Sequence, residues 1–188
     1  MDSFETVVNS TAERAALARL RAAVGATGGP MERHCLRCRR IAAELARSHG
    51  WVIDGEVLTV AAILHDIGLY PSVATGGVYT RDGAELARTM LPAFGWSPVR
   101  IERCADAIDR HHELRGQLSR GPEVEALRRA DLVDVSGGLF RFGINRAWLQ
   151  RLNASVPRAG LARELAREVG RALRERPLTL PRIFWRES

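Results

Sequence analysis

The dipeptide His65-Asp66 stands at the end of the almost wholly apolar run Ala61-Ala62-Ile63-Leu64. Such a run is buried, and burying an imidazole beside a carboxylate is costly unless both groups find partners. A divalent metal ion would satisfy the two groups together, because imidazole nitrogens and carboxylate oxygens are common ligands of such ions. The pair therefore indicates a metal site.

Two further candidate ligands, His34 and Asp131, lie on apolar helical stripes. The stripe that starts at His34 continues at offsets of four, seven and eleven residues, with Cys38, Ile41 and Leu45. Asp131 follows Val124 and Leu127 at spacings of three and four. Both polar side chains therefore point the same way as the apolar face of their helix. Each alone could be a hydrogen-bonded core residue, but an unpaired carboxylate on an apolar face is rare.

One shared cation explains all four residues. His34, His65, Asp66 and Asp131 supply two imidazoles and two carboxylates. This set suits one divalent transition metal, which could be Mn, Fe, Co, Ni or Zn, and the sequence leaves its identity open.

Substrate-handling groups are expected near these ligands. Arg37, three residues after His34, should project toward the same pocket, where it or Arg81 could hold an anionic group. Adjacent helical residues point about 100° apart, so one of His111 and His112 should face the pocket. We choose His111, which could then act as an acid or polarise the substrate.

Asp134 and Asp82 have weaker claims to a role at this site. Asp134, three residues after Asp131, could orient a ligand histidine or merely line its helix. Asp82 could bridge to a second metal ion, although a carboxylate at a helix start has a simpler explanation.

The elements that must position these residues are predicted to be helices. No alternating run is long enough for a sheet. Ser10 and Glu13 form a capping box for a first helix, which ends near Gly25. Later helices are predicted at about 31–48, from Asp54, from Thr80 to about 91, from Pro98, from Pro122, within 141–153 and at about 158–174. Residues 71–79 form a loop, and whether it closes over the pocket stays open.

Length and composition indicate one all-α domain of 188 residues. We divide it into an N-terminal helix and linker (1–29), a metal-binding core (30–140), and C-terminal helices with a tail (141–188). The tail, which holds Phe184 and Trp185, is expected to pack on the domain or to meet a partner. Three cysteines do not make a disulfide framework in a chain of this length, so Cys35 and Cys38 are expected to pack.

The net charge is +6, and every basic residue is arginine. The arginines are spread along many helices, which disfavours a nucleic acid polymer as partner and is compatible with a small anionic substrate. No window approaches the roughly 18 apolar residues of a membrane span. The N-terminus lacks the pattern of a secretory signal. We expect a cytoplasmic protein, and a homo-oligomer is compatible with the sequence.

The order His34, His65-Asp66, Asp131 resembles the HD-domain superfamily of metal-dependent phosphohydrolases. Four segments carry the resemblance, which spans about residues 30–140: 34–42, 62–68, 107–112 and 129–134. It implies a single-domain helical bundle and a metal ion held by the four residues. It also implies a water or hydroxide on that ion, which attacks a phosphate ester in many relatives.

The chain departs from this family at two places. Leu69 stands where members often have lysine, so a cationic group is missing. Members with two metals usually carry another histidine after the loop, whereas residues 79–84 contain none. We therefore favour one metal ion.

The first functional hypothesis is a phosphohydrolase for a nucleotide or another small phosphate ester, with Asp66, His111 and Arg37 as catalytic residues. The missing lysine and the single metal also fit a hydratase of the cyanamide-hydratase type. A two-metal oxygenase is disfavoured by the missing histidine. The last alternative is a non-catalytic helical module whose polar cluster is a hydrogen-bonded network.

Overall fold

The computed structural model describes residues 7–25 and 27–175, which form helices and connecting loops without a β-strand among them. The α-helices of this part are α1 (Thr11–Val24), α2 (Pro30–His49), α3 (Gly55–Leu64), α4 (Tyr79–Met90), α5 (Pro98–Asp109), α6 (Pro122–Val135), α7 (Arg146–Ser155) and α8 (Leu161–Glu175). The all-α prediction is confirmed. The predicted packing of the tail, residues 177–188, lies outside the described residues.

Several helix starts follow the sequence signals, and one does not. The capping box of Ser10 and Glu13 is present at α1, and the Asp54 carboxylate accepts backbone N–H groups at the start of α3. The predicted cap at Thr80 is wrong, because α4 begins one residue earlier without a side-chain cap. The Thr80 hydroxyl instead donates to Asp109, 3.1 Å away, and so joins the start of α4 to the end of α5.

Helix α3 forms the centre of the protein. From Val57 to Leu64 every residue is buried, and α3 packs against α1, α2, α5 and α6. A helix that is apolar all round can be stable only in such a position. The chain leaves α3 at His65, so the His65-Asp66 pair is delivered to the interior of the bundle.

The start of α4 lies unusually close to the turn that follows this pair. A Cβ atom on Gly68 would stand 2.0 Å from the backbone oxygen of Tyr79. A side chain at position 68 would therefore push α4 away, and glycine there allows Tyr79 to approach the end of α3. Among the described helices, none has both the length and the apolar character to cross a lipid bilayer.

Candidate metal centre

The structure brings the four sequence-predicted ligands together in the interior. Helix α2 supplies His34, the turn after α3 supplies His65 and Asp66, and α6 supplies Asp131. Nε2 of His34 is 3.2 Å from Nε2 of His65, 3.3 Å from Oδ1 of Asp131 and 3.5 Å from Oδ2 of Asp66. The four residues are at most 3% exposed. Four groups from three distant parts of the chain thus point at one another.

Backbone carbonyl groups fix the orientation of two histidines. Nδ1 of His65 lies 2.9 Å from the carbonyl oxygen of Ala62, and Nδ1 of His111 lies 2.6 Å from that of Ile108. A carbonyl oxygen only accepts, so Nδ1 carries the proton in each ring. In the neutral rings, Nε2 therefore presents a lone pair toward the cluster.

Asp134 fixes the third histidine in the same way. Its Oδ2 accepts from Nδ1 of His34 at 2.7 Å, and its Oδ1 accepts from Nε of Arg37, also at 2.7 Å. The Nε2 lone pair of His34 is left for the cluster. Of the two roles that the sequence left open for Asp134, orientation of a histidine is thus the one that matches these contacts.

Contrary to the expectation from the sequence, the guanidinium of Arg37 does not lie in the pocket. Besides Asp134, it donates to the carbonyl oxygen of Val156 at 2.6 Å and to Oδ1 of Asn153 at 2.8 Å. It lies on the Nδ1 side of the His34 ring, beside Asp134, where its positive charge compensates the buried carboxylate. This placement argues against a catalytic role for Arg37 and gives it a structural one.

Both His111 and His112 reach the cluster, where only one was expected. Nε2 of His111 is 3.5 Å from Oδ1 of Asp66, and Nδ1 of His112 is 3.3 Å from Oδ2 of Asp131. Helix α5 ends at Asp109, so the two histidines lie in a turn where the 100° rule of a helix does not apply. Nε2 of His111 is buried without a hydrogen-bond partner in the described part of the chain.

Sequence reasoning missed Tyr79, the first residue of α4. Its hydroxyl donates to Nε2 of His112, whose Nδ1 faces Asp131. Burial, with the charges of Asp66 and Asp131, raises the pKa of Tyr79 well above its usual value, so the phenol stays protonated. The one signal in the sequence that could have pointed to Tyr79 was its position at the start of α4, in the segment where two-metal family members carry a histidine.

Cys38 contacts the His34 ring but is poorly placed to be a ligand. Its sulfur lies 3.7 Å from both ring nitrogens. A position equidistant from the two nitrogens is off the line of the Nε2 lone pair. Burial raises the pKa of the Cys38 thiol to about 11, against the opposing effect of His34. The neutral thiol packs on the ring, in agreement with the packing role expected from its helical stripe.

The remaining candidates lie away from the cluster. Arg81 is exposed on α4. Asp82 accepts from the backbone N–H of Thr75 at 3.0 Å and from the Thr75 hydroxyl at 2.5 Å, so it holds the loop before α4. This arrangement favours the structural explanation for Asp82 over a bridging one.

The charged groups of the cluster shift one another's pKa values. Burial by itself would raise the pKa of Asp66, but His65, His111 and His34 hold it well below its usual value. Burial opposes protonation of His34, yet hydrogen bonds to carboxylates, Asp131 first, raise its pKa. The carboxylates thus favour positive charge at this place, which a divalent cation could supply.

The donor set fits a divalent transition metal. Three overlapping groups of ligand atoms, all of them buried except that of His112, lie within 4.8 Å of one another, and any group could hold an ion: His34, Cys38, His65 and Asp131; His65, Asp66 and His111; His111, His112 and Asp131. The orphaned Nε2 of His111 is a further group that a cation would satisfy. Neutral imidazoles and carboxylates are ligands typical of Mn, Fe, Co, Ni and Zn.

Comparison with known proteins agrees with this geometry. The HD domain family matches residues 31–136, which contain every histidine and carboxylate of the cluster. A comparison with curated proteins gives no match. The family generally comprises metal-dependent hydrolases, and its fold is all-α. Because the match covers more than half of the 188 residues and the described part is helical, the chain belongs to the HD domain family.

Proposed function

We propose that this protein is a metal-dependent hydrolase in which His34, His65, Asp66 and Asp131 hold one divalent ion. The observation that carries the proposal is the convergence of three Nε2 lone pairs, including that of His111, with two carboxylates at one buried place. A hydrogen-bonded core network would pair such acceptors with donors, whereas Nε2 of His111 has no partner among the described residues.

When bound, the ion supplies Lewis-acid activation of a water nucleophile near neutral pH. Asp66 would help to hold the ion and to orient the water, since its Oδ2 faces His34 and His65 while its Oδ1 faces His111. Burial and the neighbouring charge of His112 lower the pKa of His111 to about 4, so its imidazole is neutral near pH 7. A neutral Nε2 can orient the water or accept a proton from it.

Tyr79 and His112 form the substrate side of the centre. The His112 side chain is 23% exposed, whereas those of His34, His65 and His111 are fully buried and that of Asp131 is 3% exposed. A substrate would therefore approach along His112, where the Tyr79 hydroxyl could turn from Nε2 of His112 and donate to an oxygen or nitrogen of the substrate. Such a narrow approach suits a small molecule.

The first candidate substrate is a small phosphate ester, such as a nucleotide. The ion would offset the phosphoryl charge, and Tyr79 with His112 would supply a donor for the leaving oxygen. This candidate keeps the chemistry that the HD-domain resemblance implies.

The position of the arginines favours a second candidate, a hydratase of the cyanamide-hydratase type. Arg37 is committed to Asp134, and Arg81 is exposed. With these two guanidinium groups directed elsewhere, two carboxylates and a dication would form a nearly neutral pocket, which suits an uncharged nitrile-like substrate better than a phosphate dianion. Water would add across the C≡N bond, its oxygen to carbon and its protons to nitrogen.

One experiment separates the two substrate classes. Protein loaded in turn with Mn, Fe, Co, Ni and Zn would be assayed for phosphate release from nucleotides and sugar phosphates, and for urea formation from cyanamide. We expect activity in one arm and its loss in His65→Ala. His49→Ala, at the exposed end of α2, serves as the matched control and should retain activity. Inactivity in both arms with metal bound would contradict both substrate classes.

The non-catalytic alternative is tested by stability rather than by activity. An ion that binds the native state raises the free energy of unfolding by about 2.7 kcal/mol at a hundred times its Kd. We expect the melting temperature of chelator-treated protein to rise with at least one of the five metals and to stay unchanged in His65→Ala. A melting temperature that none of the metals moves would show a polar network without a metal function.

A further inference from the structure

A groove between α2 and α7 lies on the side of α2 away from the metal centre. Its volume is about 510 Å³. Ala43, in its wall, follows His34 by nine residues, which places the two side chains about 180° apart at 100° per residue. The groove is lined by one stripe from each helix, with residues three and four positions apart: Arg40, Ala43, Glu44 and Arg47 from α2, and Trp148, Arg151, Leu152 and Ser155 from α7.

The lining carries an excess of positive charge. It contains four guanidinium groups, those of Arg39, Arg40, Arg47 and Arg151, and one carboxylate, that of Glu44. Arg47 already binds Glu44 through two hydrogen bonds of 2.8 and 2.7 Å. Arg151 stands on the α7 side of the groove, so an anion entering it would meet guanidinium groups from two helices.

Arg39 is held in place beside a like charge. Its side chain is half-buried, and its Nε lies 3.3 Å from the hydroxyl of Thr59 on α3. Burial lowers the pKa of Arg39, and the charge of Arg40 adds to this effect against the opposing charge of Glu13. Partly desolvated cations of this kind gain more from an anionic ligand than cations that are fully in water.

The groove also has an apolar part. Trp148 is half-buried, Leu152 is buried, and Ala43 faces them from α2. An aromatic side chain offers a flat surface on which a nucleobase can stack, and arginine binds phosphate with two parallel hydrogen bonds. The two features stand side by side in one cavity of ligand size.

We propose that the groove between α2 and α7 is a binding site for a nucleoside polyphosphate, separate from the metal centre. The phosphate groups would lie against Arg47 and Arg151, and the base against Trp148. The proposal is independent of the hydrolase activity, because none of these residues touches the metal cluster.

The test is calorimetric titration of the full chain with ATP in EDTA and about 150 mM salt, at which exposed charges more than about 8 Å apart are largely screened. Arg151→Glu should raise the Kd by about tenfold or more, the effect of losing a charge-assisted contact. Arg163→Glu makes the same charge change at an exposed position on α8 and should alter the Kd by less than about twofold.

Two further arms test the nucleoside part of the proposal. Trp148→Leu should weaken binding of ATP and leave binding of inorganic triphosphate unchanged. Equal affinities of the unaltered chain for ATP and triphosphate would overturn the base contact. The proposal would be overturned if Arg151→Glu and Arg163→Glu lost the same affinity for ATP. It would also be overturned if millimolar ATP gave no heat of binding, or if a single-stranded oligonucleotide bound more tightly than ATP.

Discussion

Asp134 accepts a 2.7 Å hydrogen bond from Nδ1 of His34, a residue one hundred positions earlier in the chain. The same carboxylate accepts from Arg37, so both of its oxygens are occupied by donors. Asp134 thereby determines which nitrogen of His34 faces the cluster, and Arg37 determines where Asp134 lies.

Replacing the carboxylate of Asp134 by an amide should weaken metal binding. In Asp134→Asn, the amide oxygen can accept from only one of the two donors, and the amide NH₂ must face the other. We expect the Kd for the best-bound metal, measured by competition with a chelator, to rise about 10- to 100-fold. Asp106→Asn, at a half-buried ion pair of α5, should leave it unchanged. An unaltered Kd in Asp134→Asn would show that the orientation of His34 is fixed by other contacts.

Arg37 should matter for stability more than for substrate binding. Its side chain is 3% exposed, and Arg37→Ala would leave Asp134 buried without its main charge partner. We expect urea denaturation to show a loss of about 3–5 kcal/mol. Arg47→Ala removes an arginine that is 73% exposed from the same helix and should destabilise the fold far less. Similar losses in the two variants would contradict this assignment.

Gly68 should tolerate no side chain. A Cβ atom at this position would overlap the carbonyl oxygen of Tyr79, and Gly68→Ala should destabilise the fold by about 1–3 kcal/mol or more. Gly55, at the start of α3, has nothing within 4 Å of its Cβ position, so Gly55→Ala is the matched control. Its melting temperature should be close to that of the unaltered chain. A Gly68→Ala variant with the same melting temperature as Gly55→Ala would disprove the close approach of α4.

Glu125 should make stability depend on acid pH. Burial would raise its pKa, but hydrogen bonds from Arg128, the backbone N–H of Gln117 and Arg129 lower it to about 2. Because the folded pKa lies below the unfolded value of about 4.3, this contribution is complete above the unfolded pKa and is lost as pH falls toward the folded one. The difference in unfolding free energy between the unaltered chain and Glu125→Gln should therefore be constant above about pH 5.

Below about pH 5, that difference should shrink steadily until the pH approaches the folded value of about 2. Urea denaturation at a series of pH values measures it. Glu85→Gln, on the exposed face of α4, should show a far smaller dependence. A flat profile for Glu125→Gln would mean that the carboxylate is no more strongly bound in the folded chain than in the unfolded one.

The sequence predicted that the residues of the cluster would come together, because the spacing of apolar residues along a helix shows which way its side chains point. His34 and Asp131 share a face with apolar neighbours, so burying their helices had to bring them inward. The cost of burying these groups unpaired pointed to one cation shared with the His65-Asp66 pair, and the resemblance to a family indicated the same meeting. Helix packing is set by many weak contacts, and spacing along one helix does not determine which partner faces it.

Features that depend on the ends of helices could not be predicted in this way. His111 and His112 both reach the cluster because α5 stops at Asp109, before either histidine. Thr80 is not a cap because α4 starts one residue earlier, at Tyr79. Boundaries of this kind shift by a residue or two with tertiary contacts, and each shift redirects a side chain. The role of Arg37 was missed for a related reason, since its partners Asn153 and Val156 lie in and just after a distant helix.

The hydrogen bonds from Arg37 to Asn153 and Val156 carry a practical consequence for anyone shortening this chain. Residue 136, where the family match ends, is the natural place to cut, yet it lies before both partners. A fragment ending there would keep every ligand side chain of the cluster but lose the anchor of the arginine that steadies Asp134. Residues of α7 and Val156 therefore help to hold the metal-binding core in place, and the smallest unit that preserves the centre extends at least through Val156.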